Sequence, residues 1–221
     1  MGCIINKGVG KGGKGIPRKK SRKMIYDVGV NDFDSAVKVD GIHIPEYKLW
    51  NSMLLRCYNK KHHIRQPSYK DCFVEEYLHS FTNFYNFIHT LKGYGQLDEN
   101  GNPFQLDKDI LLKNNKCYNR DVLCFVPQSV NKFLTLRQAK RGDFLIGVSQ
   151  DKKYPTGNYI STIIVDSKQF YIGSFKTEIE AHLAYKEAKE QQAKVLAERW
   201  KDKIDERVYN ALMNYKVEIT D

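Results

Sequence analysis

Residues 106–131 read LDKDILLKNNKCYNRDVLCFVPQSVN, two short apolar runs divided by an Asn-rich turn and closed by Pro-Gln-Ser. Few backbones satisfy that order. Residues 106–110 fit a strand, LKNNK a turn, residues 118–126 a second strand, and Pro127 the first turn of a helix, where its missing N–H costs nothing. Side chains alternate along a strand, so Asp107 and Asp109 are expected on one face. Two hard oxygen donors side by side, with Asn131 on the following helix, suit a divalent metal. The same pattern also suits a surface hairpin whose acids are solvated.

Charge narrows the choice of partner. The chain has 36 Lys and Arg against 26 Asp and Glu, a net charge of +10, which favours a polyanion: nucleic acid before an acidic membrane surface. A length of 221 residues leaves room for one large or two small domains. No apolar run is long enough to span a bilayer and no charged segment leads into an apolar leader, so a soluble, cytoplasmic protein is expected. Cys3, Cys57, Cys72, Cys117 and Cys124 are odd in number and form no CxxC pair. They point to a reducing compartment, core thiols and no structural zinc.

In chain order, residues 1–23 hold Lys7, Lys11, Lys14, Arg18, Lys19, Lys20, Arg22 and Lys23 among glycines, with no acid, as a flexible basic arm would. On a polyanion such an arm adds affinity by releasing counterions, without reading sequence. GVGKGGKG falls short of a phosphate-binding loop because Gly15 takes the place of the magnesium-binding Ser or Thr, and Asn6 breaks the acylation signal that Met-Gly-Cys begins. Residues 24–141 are expected to form a first module. It holds a loop or hairpin to Ile44, an amphipathic helix from Pro45 to Asn59, a basic loop with His62 and His63, and an aromatic core helix within residues 73–91. The two histidines are candidate metal ligands or bases, and more readily solvated residues of the loop. Residues 142–221 are expected to form a second module: strands at 145–150, 158–166 and 169–175, a helix capped by Thr177 with Glu180 as its box partner, and a last helix at 202–215.

Two resemblances rest on longer motifs. WNSMLLRCYN from Trp50, YKDCFVEEYLHSFTNFYNF and LDKDILLKNNKCYNRDVLCFVPQSVN together resemble the HNH endonucleases of bacteriophages and their degenerate relatives. Those read W..M..RCYN, SF.NF and LDR.DNNGNYSPENCRW followed by an asparagine. IGVSQDKKYPTGNYISTIIVDSKQFYIGSFKTEIEAHLAYKEAK is similar to the Apetala-type, or ethylene-response-factor, DNA-binding domain, with its GV, its G.Y turn, its YLG.F strand and its EEA..AY helix. The two cover residues 46–192, in the order found in phage homing-type endonucleases.

The resemblance implies an α+β protein, an HNH-like ββα-metal module followed by a three-stranded antiparallel sheet plus helix module. It implies metal-dependent cleavage or nicking of double-stranded DNA with Mg²⁺ or Mn²⁺. Asp107 and Asn131 become the metal ligands, with Asp109 beside them. The histidine that should deprotonate water is replaced by Lys108, which the flanking acids keep charged and which suits a phosphate clamp better than a base. The middle asparagine falls on Val122, with Asn119 close by. The sheet module would dock on DNA through Tyr159, Gln169 and Tyr171, with phosphate contacts from Lys152, Lys153 and Lys168. Where plant members read bases with arginines and tryptophans, this chain has Ser149, Ile164, Gln169 and Tyr171. Two rival expectations are a DNA-binding protein of the same family that has lost catalysis, and a phage protein that binds and inhibits a host defence or replication protein. No small-molecule substrate is expected.

Overall fold

Local chemistry sets the first elements of the computed structural model, which describes residues 24–134, 143–150 and 157–219. A left-handed Asp40–Gly41 turn joins β1 (Lys38–Val39) to β2 (Ile42–His43). Pro45 opens α1 (Pro45–Tyr58), whose apolar positions recur at helical spacing and bury Trp50, Met53, Leu54 and Cys57. The Trp50 indole N–H donates to the Leu78 carbonyl at 2.8 Å, so the largest core side chain is also hydrogen-bonded. KKHHIR is a helix and not the expected loop. In α2 (Lys60–Arg65) the Asn59 side chain caps the start by accepting from the His62 N–H, and the turn Pro67–Tyr69 follows.

The expected aromatic helix is shorter than its pattern. The segment divides into β3 (Phe73–Val74), a tight turn at Glu76–His79, and α3 (Phe81–Ile88). The divider is the cap: Ser80 Oγ accepts from the Asn83 N–H, and Asp32 accepts from both Ser80 Oγ and the Thr82 N–H, at 2.6 and 2.9 Å. Phe81, Phe84 and Ile88 face the core, while Tyr77 is left outside under the Arg120 guanidinium.

The central stretch departs most from expectation. The first strand, β4 (Gln105–Asp107), stops at Asp107. The second divides into β5 (Cys117–Tyr118), parallel to β3, and β6 (Cys124–Val126), antiparallel to β4 with Asp107 opposite Cys124. Asparagine makes the break: Asn119 Oδ1 accepts from the N–H groups of Asp121 and Val122, a turn that competes with the ladder. The helix α4 (Gln128–Leu134) follows Pro127 as expected.

The second sheet agrees with its pattern. β7 (Val148–Gln150), β8 (Tyr159–Val165) and β9 (Lys168–Phe175) form an antiparallel meander, with Asp166 and Ser167 both left-handed in the β8–β9 turn. Gly147, also left-handed, lies so close to the Tyr185 ring that a Cβ there would collide with it. α5 (Glu178–Trp200) begins in the expected Thr177–Glu180 capping box, and α6 (Glu206–Met213), capped by Asp205, is a shortened form of the expected last helix.

The helix α5 joins two cores. Tyr185, in its N-terminal half, packs with Ile163 and Val217, while Ala193, Leu196, Ala197 and Trp200 enter the core built by α1, α3 and β6. Arg199 holds Glu99 at 2.6 Å and Asp166 at 3.3 Å, linking the loop before β4 to the β8–β9 turn. Between these ends the buried Lys189 donates to the Phe133 carbonyl at 2.6 Å and covers the Phe133 ring. Among the described residues, no helix is long and apolar enough to cross a membrane.

Burial pushes the Lys189 ammonium down from its ordinary 10.5 to about 8. Between those values the unfolded chain holds the extra proton, so stability should rise with pH from about 8 to 10.5. Lys189→Met removes a burial cost of roughly 3 kcal/mol, part of which the Phe133 carbonyl and ring already offset. Urea titrations should show the variant more stable at pH 7 by about 1–2 kcal/mol and without that rise.

Candidate nucleic-acid interface

A cleft of about 960 Å³ opens beside the β4–β6–α4 unit. Its walls include α1, β4, the 108–116 loop, α4 and residues of the C-terminal segment. Asp107, at the end of β4, and Asn131, on α4, both line it. Their neighbours hold them firmly. Asp107 Oδ1 accepts from the N–H groups of Asp109 and Ile110 at 2.7 and 2.9 Å, and Asn131 Nδ2 donates to Gln105 Oε1 at 2.7 Å. Burial pushes the Asp107 carboxyl up from the ordinary aspartate range, and the two backbone N–H groups pull it only part of the way back. One carboxylate oxygen lies outside those bonds. With the Asn131 carboxamide, it offers the hard oxygen donors that a Mg²⁺ or Mn²⁺ accepts when water and phosphate fill its other positions. Among the described residues, no group of three or more His, Cys, Asp or Glu side chains adds to that pair.

Asp109 lines the same cleft as Asp107 but lies past the end of the strand: Asp107 takes the Asp109 N–H, and the exposed Asp109 carboxylate meets the Lys108 ammonium at 2.5 Å. Lys108 lines the cleft but is 6% exposed, and its ammonium is engaged within the protein. Its ammonium donates to the Asn115 carbonyl, Asn115 Nδ2 donates back to the Lys108 carbonyl at 2.8 Å and to that of Cys117 at 2.6 Å, and the Cys117 N–H donates to Asn115 Oδ1. This closed clip shapes the 108–116 loop. Asn119 Oδ1 is taken up by its own turn, and Val122 is buried. Histidines stand elsewhere: His63 bonds the Arg56 carbonyl at 2.8 Å, and none is among the described lining of the cleft.

The sheet distributes its candidates over two faces. Ser161 and Ile163 are buried toward α5, and by alternation Tyr159 belongs with them, its ring against Phe144 and not on the open side. On the opposite face Ile164 pairs with Gln169 and Thr162 with Tyr171. Tyr171 is 66% exposed, which leaves its ring available to a groove. Lys168 is exposed at the start of β9. The basic-arm residues Lys11, Lys14, Arg18, Lys19, Lys20, Arg22 and Lys23, and the turn residues Lys152 and Lys153, lie outside the described residues.

Arg56 was not among the expected site residues. It lines the cleft from α1 together with Leu49, Ser52 and Met53, at positions i, i+3, i+4 and i+7 of one helical face. Its guanidinium lies against the Tyr118 phenol and 5.7 Å from the centre of the Tyr69 ring. The signal was present in RCYN, where helical spacing from Met53 places a guanidinium on a half-buried face.

Lys108→Ala opens the loop clip and leaves the Asn115 carbonyl without its donor. Urea denaturation should report a loss of about 2–3 kcal/mol, whereas substitution of the exposed Lys194 by Ala should change stability by less than about 0.5 kcal/mol.

Compared with known protein families, curated proteins and solved structures, the chain matches none of them.

Proposed function

We propose that this is a double-stranded DNA-binding protein related to the phage HNH homing-type endonucleases, with an HNH-like module in residues 24–141 and an Apetala-type sheet module after it. The observation that carries the reading is the β4–β6–α4 unit, an antiparallel pair running into a helix that brings Asp107 and Asn131 to one cleft. The net charge of +10 and the exposed Gln169 and Tyr171 on the second sheet support the same partner. Binding without efficient cleavage fits the cleft best. Lys108 stands in the place of the base with its ammonium engaged by Asp109 and the Asn115 carbonyl, and no histidine is among the described lining residues.

Metal-dependent nicking is the second reading, favoured by the two oxygen donors of Asp107 and Asn131. A Mg²⁺ or Mn²⁺ held there would offset the charge developing on a scissile phosphate. This chain would then have to draw water activation from Asp109 or from the solvent.

Gel shifts on a short duplex should show an apparent affinity at least tenfold weaker at 200 mM than at 50 mM salt, the mark of several released counterions. A duplex that does not shift at either salt concentration overturns the proposal. Supercoiled plasmid incubated with the protein and Mg²⁺ or Mn²⁺ should stay supercoiled. Nicked product that disappears in Asp107→Ala and Asn131→Ala would replace binding alone by the second reading.

A further inference from the structure

The cleft contains a cation whose charge the protein does not answer. Of the five arginines among the described residues, Arg120 meets Glu75 at 2.7 Å, Arg199 meets Glu99 and Asp166 at 2.6 and 3.3 Å, and Arg207 meets Asp205 at 2.9 Å. Arg65 is exposed at the end of α2. Arg56 alone is half-buried and has no carboxylate within salt-bridge distance among the described residues. Its neighbours are a phenol, a ring and a cleft: Tyr118 at its side, Tyr69 at 5.7 Å, and the space shared with Asp107 and Asn131. The Tyr118 phenol bonds this half-buried guanidinium, and with five N–H donors it has others left over for an anion. Its planar fork of five donors matches two phosphate oxygens at once, and two aromatic neighbours hold the plane without neutralising it.

We propose that Arg56 is the phosphate-gripping residue of this cleft, taking one backbone phosphate of the bound nucleic acid opposite Asp107 and Asn131. The assignment rests on the nucleic-acid reading above. It gives α1 a direct part in binding: RCYN places the cation, β5 supplies the Tyr118 support, and β4 with α4 lines the same cleft. Lys108, whose ammonium is engaged with Asp109 and the Asn115 carbonyl, does not compete for the same phosphate.

The full chain and its Arg56→Gln and Arg56→Lys variants are to be titrated with a short duplex at several salt concentrations, and separately with thymidine 3′,5′-bisphosphate as a minimal phosphate probe. Arg56→Gln should weaken duplex binding about tenfold or more, and the slope of log affinity against log salt should become shallower by about 0.9, the share of one phosphate. Arg56→Lys should keep most of the slope and lose part of the affinity, because charge survives and the fork does not. Melting curves accompany each variant. If Arg56→Gln melts early, Arg56→Lys together with the bisphosphate titration of the unaltered chain decides. Duplex affinity and slope unchanged in a folded Arg56→Gln would overturn the assignment. If no duplex binds at all, the DNA reading fails, and the bisphosphate still judges Arg56: binding that the substitution abolishes supports it, and no binding overturns it.

Discussion

The structure depends on one helix belonging to two cores. An amphipathic helix normally buries one stripe against one layer, but α5 is 23 residues long and its two halves face different neighbours. Its first half lies on the three-stranded sheet through Ala181 and Tyr185, and its second half completes the aromatic core around Trp50 and Phe81. Lys189 stands where the halves meet, and its carbonyl partner at Phe133 fixes the end of α4 to the same axis. The site is therefore framed from behind, because α4, which carries Asn131, is held by the helix that also carries the sheet.

Much of this was legible in the sequence, and the misses share a cause. Apolar spacing located α1, α5 and the meander, and the Thr177–Glu180 pair marked the start of α5 to the residue. The losses came where polar side chains compete with the backbone ladder. Asp107 captures two N–H groups and ends β4 early, Asn119 does the same and divides the expected second strand, and Ser80 with Asp32 cuts the aromatic helix to eight residues. Periodicity counts apolar residues and is blind to such local hydrogen bonds. Placing Tyr159 on the covered face needed the register as well as the pattern.

The cleft shows how residue identity misleads when depth is unknown. Lys108 occupies the position that the family resemblance gives to chemistry, and the fold has enclosed it in a clip with Asn115. Arg56, part of a motif that reads as core helix, emerges with its charge uncompensated by any carboxylate among the described residues. Depth separates the two cations in a way that position in the sequence did not show. Ammonium suits the first place because three donors on one atom can satisfy a carbonyl and a carboxylate together, and guanidinium suits the second because a planar fork can be held from the side by aromatic groups.

The double membership of α5 also bears on ancestry. Proteins assembled as beads on a string exchange their parts freely, because each bead closes its own interior and the string carries no packing. Here the sheet unit cannot be shed or swapped as a cassette: deleting it with its helix would remove Trp200, Leu196 and Ala193 from the neighbouring interior and leave Phe104 facing a void. A volume change on either side of that helix has to be absorbed by both interiors, so the two halves share one packing constraint.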